Sequence, residues 1–169
     1  MYLNYPLVPD FPITLREGED RDKEFLAAIF TEVWLNIPDL EQAAILARGY
    51  GRVNVDILEK DGFQGLVDMS GDIRIGRAAV DTYTRNVMLH LVAREFAHKV
   101  DDYFHPSPVA RLKEPRLEAK KRVAIILERW GYPLRAKPEY TPADVVRIRA
   151  NRALTTSKKS RHKPRDASQ

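Results

Sequence analysis

Apolar residues recur at Phe25, Ile29, Val33 and Ile37, the four-residue spacing of one helix face. A helix is therefore expected from Asp22 to about Arg48, interrupted at Ile37-Pro38 because a residue before proline avoids the α region. Asp39 is a candidate cap for the second part. Upstream, Pro6, Pro9, Pro12 and Gly18 break any period, so residues 1–20 read as an extended arm. From Arg52 to Glu59 the pattern changes to strict alternation, with Val53, Val55 and Ile57 on one side, which suits a strand. Phe63–Met69 and Ile73–Ile75, set off by Asp61-Gly62 and Ser70-Gly71-Asp72, extend this to a sheet of two or three strands.

The helical period returns at Asp81 and runs to about Phe104, with Asp81 as N-cap. Leu89, Val92, Ala93, Phe96, Ala97 and Val100 form its main apolar face, and Val87 and Leu91 add a second, which marks a central helix. Three prolines make 105–115 a loop. Arg116–Trp130 is the next core helix, with Val123 to Leu127 as its buried stretch and Gly131 and Pro133 as its stop. Thr141-Pro142-Ala143-Asp144 opens a short basic helix, and from Thr155 the Ser, Lys and Arg content suits disorder. The organisation is thus an arm (1–20), a domain (21–140) and a basic C-terminal extension (141–169).

The helix 81–104 carries the residues with chemistry. His90, Arg94, Glu95 and His98 lie along it, and positions 94 and 98 are one turn apart on one face. Zinc hydrolases use that spacing for two histidine ligands, with the glutamate between them as general base, in the pattern H-E-x-x-H. Here the segment reads Arg94-Glu95-Phe96-Ala97-His98. Around it stand Val33-Trp34-Leu35-Asn36-Ile37-Pro38, the strands of 53–75, Glu118-Ala119 at the start of the next helix, and Glu128-Arg129-Trp130-Gly131-Tyr132 at its end. In that order and spacing, residues 24–133 resemble small zincin-like metallopeptidase domains of the gluzincin type. The resemblance implies an α+β zincin-like fold, a small sheet packed on the central motif helix and on a following Glu-bearing helix. It implies Glu95 as the base and His98 and Glu118 as metal ligands.

The departures from that family change the expected function. Arg94 stands where the first histidine ligand would be, and a guanidinium has no lone pair to give a metal. Arg122 stands four residues after Glu118, where many gluzincins place an acidic residue that orients a ligand histidine. His90 is two turns from His98, about 12 Å along the axis, too far for one ion to bridge. Asp101 and His105 are further donors, but a set of His98, Glu118 and Asp101 is oxygen-rich and poorly suited to zinc. The expectation is a degenerate metallopeptidase-like domain, a pseudoenzyme with no cofactor, its Glu95, His98 and Glu118 vestigial. Arg94 would act as a cation in place of the metal, between Glu95, Glu118 and Asp101. Such a protein acts by binding a protein or peptide partner. The alternatives are an active zinc peptidase with an unusual ligand set, and a nucleic-acid-associated protein using its tail.

Charge bears on the last alternative. The 169 residues hold 28 Lys and Arg against 24 Asp and Glu, a net +4. Residues 143–169 alone carry eight basic residues against two Asp, a net +6, which leaves −2 on the rest. Arg147, Arg149, Arg152, Lys158, Lys159 and Arg161 are therefore the candidate phosphate contacts. No cysteine is present, which excludes disulfides, thiolate zinc sites and thiol catalysis. No apolar run approaches the ~20 residues of a membrane span, and no secretory signal pattern stands at the N-terminus. A cytoplasmic protein with no membrane contact is expected.

Overall fold

The computed structural model describes residues 5–8, 13–16, 18–47, 49, 51–59, 62, 64–67, 71–106, 113–132 and 135–161. The Ile37-Pro38 step breaks the first helical stretch as expected, into α1 (Asp20–Leu35) and α2 (Asp39–Ala47). The Pro38 carbonyl accepts the Glu41 and Gln42 amides, both at 2.9 Å, so the proline itself supplies the acceptors of the new first turn. The Gln42 side chain donates back to the Trp34 carbonyl at 3.0 Å and fixes the angle between the two helices.

The alternating segment forms β3 (Val53–Leu58), with Val53, Val55 and Ile57 buried. It lies at the centre of a five-stranded sheet ordered β1-β2-β3-β5-β4, larger than the two or three strands expected. The additions come from the N-terminal arm: β1 (Tyr5–Pro6) and β2 (Ile13–Leu15). β2, β3 and β5 (Ile73–Gly76) run parallel, while β1 and β4 (Gly65–Val67) are antiparallel edges. The arm is held because Ile13 and Leu15 bury completely in register with Val53 and Val55.

Helix α3 (Arg77–Thr82) follows β5 directly, and α4 (Arg85–Phe104) starts after an extended break at Tyr83-Thr84. Asp81 is therefore not the cap of the central helix. It is buried in the last turn of α3, 3.5 Å from the Arg77 guanidinium. The first amide of α4, on Arg85, donates instead to the Asp144 carboxylate at 3.0 Å, a cap supplied from 59 residues away. Phe96 on α4 meets Phe30 edge-on and Trp34 at a tilt, each with ring centroids 5.6 Å apart. These three rings anchor α1 to α4. Lys99, fully buried, donates to the Gly71 carbonyl and ties α4 to the turn before β5.

Helix α5 (Lys113–Trp130) buries Val123, Ile126, Leu127 and Trp130 against the core. Ile125, expected inside, is 60% exposed. It stands about 100° from its neighbour Ile126 around the helix. Gly131, at φ 85°, takes the left-handed conformation that ends α5. Helix α6 (Pro142–Arg161) is longer than the short helix expected and continues past Thr155. It belongs to the body of the protein: Ile148 is buried and Asn151 donates to the Asp81 carbonyl at 3.2 Å. Residues 162–169 lie outside the described residues. Among those described, no helix is long and apolar enough to cross a membrane.

Candidate functional site

Arg94, Glu95 and His98 project from α4 into a cleft of about 500 Å³ between α4, β4 and α5. Gly65 and Val67 of the edge strand form one lip, and Lys120, Val123, Ala124 and Leu127 of α5 form the opposite wall. Asp102 closes the end one turn beyond His98. The strand runs very close to the helix: a Cβ at Gly65 would meet a Leu91 methyl at 3.2 Å and a Glu95 carboxylate oxygen at 3.4 Å. Glycine is thus what lets β4 lie over Glu95.

Glu95 is 3% exposed. Arg94 reaches it with Nε at 3.3 Å and Nη2 at 3.2 Å, both on the single oxygen Oε1. Those contacts are long for a charged pair, which ordinarily closes to about 2.7–2.9 Å. Burial therefore dominates and raises the Glu95 pKa, although Arg94 and His98 pull it the other way. The cleft holds a carboxyl group that keeps its proton to higher pH than an ordinary glutamate. It can donate a hydrogen bond when protonated and accept one when ionised.

The other expected ligand does not line the cleft. The Glu118 side chain is 61% exposed and accepts from Lys121 at 3.1 Å. The buried stripe of α5 runs through Val123, Ile126, Leu127 and Trp130. Counting back five residues at 3.6 per turn turns Glu118 about 140° away from Val123. Lys120, Ala124 and Leu127, at spacings of four and three, face the cleft instead. The run Val123–Leu127, apolar at every position, shows no face from which that register could be read, so Lys120 was missed and Glu118 chosen. Val67 and Asp102 were also missed.

Asp101 does not meet Arg94 either. It is 4% exposed and takes both donors of Arg122, Nε at 2.5 Å and Nη2 at 3.1 Å, with His105 Nδ1 at 3.6 Å. The basic residue that departs from the family pattern thus has a partner on the neighbouring helix. Of the donors expected from the sequence, His98 offers a nitrogen to the cleft, Arg94 has no lone pair to give, and Glu118 and Asp101 are engaged elsewhere. Among the described residues no three His, Cys, Asp or Glu side chains are grouped so as to hold a metal.

No protein-family model, curated protein or solved structure matches this chain. What the cleft does is therefore argued from its own residues.

The basic candidates of α6 divide. Arg147 is engaged with the body: it donates to the Val80 carbonyl at 2.9 Å and to the Tyr83 carbonyl, and stacks 3.7 Å over the Phe25 ring. Lys158 pairs with Glu19 at 3.1 Å. Arg149 and Arg152 are exposed, and the side chains of Lys159 and Arg161 lie outside the described residues.

Proposed function

We propose that this protein is a zincin-like domain that binds an extended peptide in the cleft over α4 and does not hydrolyse it. The observation that carries the reading is the Arg94–Glu95 contact. In the motif position of a metal-ligating histidine stands a cation that already faces the glutamate. Such a site keeps the electrostatic arrangement of a metal beside a carboxylate and lacks the metal's water, so it can hold a polar group and not attack one.

The cleft suits a peptide for a second reason. β4 is an edge of the sheet, hydrogen-bonded to β5 on one side, and an edge strand offers backbone donors and acceptors to an incoming chain. A peptide lying along β4 would pass over Arg94 and Glu95. The guanidinium, 35% exposed, would face its carbonyl or carboxylate oxygens. Val67, Val123 and Leu127 would receive its side chains.

A quenched-fluorescent library of unstructured decapeptides tests this in one experiment. The expected result is a rise in polarisation on mixing, with no release of fluorescence with or without added zinc. Ala124→Trp, which fills the cleft from α5, should abolish the binding. Zinc-dependent cleavage lost in Glu95→Gln would establish the alternative of an active peptidase. An Ala124→Trp variant that binds like the parent would sink the cleft as the site.

A further inference from the structure

On the other side of α5 lies a second cavity, of about 520 Å³, between α2, the end of α4 and α5. Its walls are apolar: Leu40, Val100, Phe104, Ile125 and Ile126. Leu40 is 74% exposed, Ile125 60% and Phe104 48%, so three of the large apolar side chains open to solvent meet in this one groove. Exposed apolar surface gathered in one place marks an interaction site more often than scattered leucines do. The rim carries two arginines, Arg122 and Arg129, which with Ile125 and Ile126 form one stripe of α5.

The charge of that rim has a direction. Arg129 meets Glu41 through two bonds, at 2.6 and 2.9 Å, and Arg122 meets Asp101. In each pair the carboxylate is the buried partner, at 9% exposure for Glu41 and 4% for Asp101. The arginine side chains are the more exposed partners, at 52% for Arg129 and 32% for Arg122. The groove thus has two arginine side chains at its rim, each above the buried carboxylate it pairs with, over an apolar floor.

We propose that this groove docks an amphipathic helix of a partner protein, with its apolar stripe flanked by Asp or Glu. Charge selects the acidic flanks. It also argues against two other occupants. The chain's own end carries Arg161, Lys163 and Arg165, which the rim repels. A second copy placed groove to groove about a two-fold axis would bring the same two-arginine rim into the interface from both sides. The walls select a helix over a strand: all three are helices, so an extended chain would bury backbone groups that find no partner. A helix brings its backbone bonds with it. The site is independent of the peptide cleft and stands whether or not that cleft binds peptide.

Two labelled 18-residue peptides with the same leucine stripe, one with Glu flanks and one with Lys flanks, test the proposal by fluorescence anisotropy. The Glu peptide should bind at least about tenfold more tightly than the Lys peptide, and lose affinity as salt rises. Ile125→Asp should weaken it by about tenfold or more while melting like the parent, because that side chain is already exposed. Ala124→Trp, on the cleft side of α5, should leave it unchanged. Equal affinity for the two peptides, or an unaffected Ile125→Asp, overturns the proposal. So does a dimer in sedimentation equilibrium that Ile125→Asp dissolves, which assigns the groove to a second copy. A Leu40→Asp variant that melts as low as a core substitution also overturns it, since the groove would then be covered by the protein's own chain.

Discussion

Glu41 and Glu95 are both buried glutamates facing an arginine, and they behave in opposite ways. At Glu41 each carboxylate oxygen takes its own guanidinium nitrogen, and the Trp130 indole adds a contact at 3.3 Å. Those bonds outweigh burial and hold Glu41 below the ordinary carboxylate range. At Glu95 both arginine nitrogens crowd onto one oxygen at longer range, burial wins, and the pKa rises. The first pair is a clamp between α2 and α5 with its polar groups satisfied. The second is a carboxyl left under-compensated at the edge of a cleft, which is the arrangement expected where a group must meet a ligand. An arginine beside an acid thus says little until the geometry of the pair is known.

The largest effect should come from breaking a clamp. Arg122→Ala leaves Asp101 buried with, among the described residues, His105 as its remaining cationic neighbour, and should cost about 3 kcal/mol in urea unfolding. Next, Glu41→Gln should cost about 1.5–3 kcal/mol at neutral pH. Because the folded pKa of Glu41 is lowered, its contribution is present above the ordinary carboxylate pKa and is lost as pH falls through the folded value. Parent and variant should therefore converge in acid.

Glu95 should show the reverse sign. With its folded pKa raised, the protonated form is favoured on folding, and stability falls as pH rises through the folded value. Glu95→Gln should melt about 2–4 °C above the parent near pH 8, with the gain disappearing near about pH 4. A melt that drops at pH 8 would mean that Arg94 holds Glu95 as firmly as Arg129 holds Glu41. The smallest effect is Arg94→Ala. Its guanidinium is 35% exposed and its contacts are long, so the loss should be under about 1 kcal/mol.

The same contrast explains what could be read from the chain. Helix periodicity and the Ile37-Pro38 break are local, and α1, α2, β3 and the core face of α4 were legible from them. The strands of the arm were not: β1 and β2 have two and three residues, too few to alternate, and β2 exists through pairing with β3 forty residues away. The cap of α4 by Asp144 is likewise non-local, and Asp81 looked like a cap because it precedes the apolar period, whereas its partners Arg21 and Arg77 lie on α1 and α3. In the site, Glu95 and His98 followed from spacing within one helix. The rotation of α5, which turns Glu118 away from the cleft and Lys120 toward it, follows from its own buried stripe. The long run Val123–Leu127 hid that stripe, because five consecutive apolar residues show no face.

Whether a metal cation ever serves this cleft is settled most directly by counting zinc. The protein, saturated with zinc and then dialysed, should retain well under one zinc per chain by elemental analysis, since among the described residues no three His, Cys, Asp or Glu side chains are grouped to hold it. Near-stoichiometric zinc that disappears in His98→Ala would contradict a cleft built around a guanidinium, and would make this a metal site with ligands that the arrangement of Arg94, Glu95 and Glu118 does not supply.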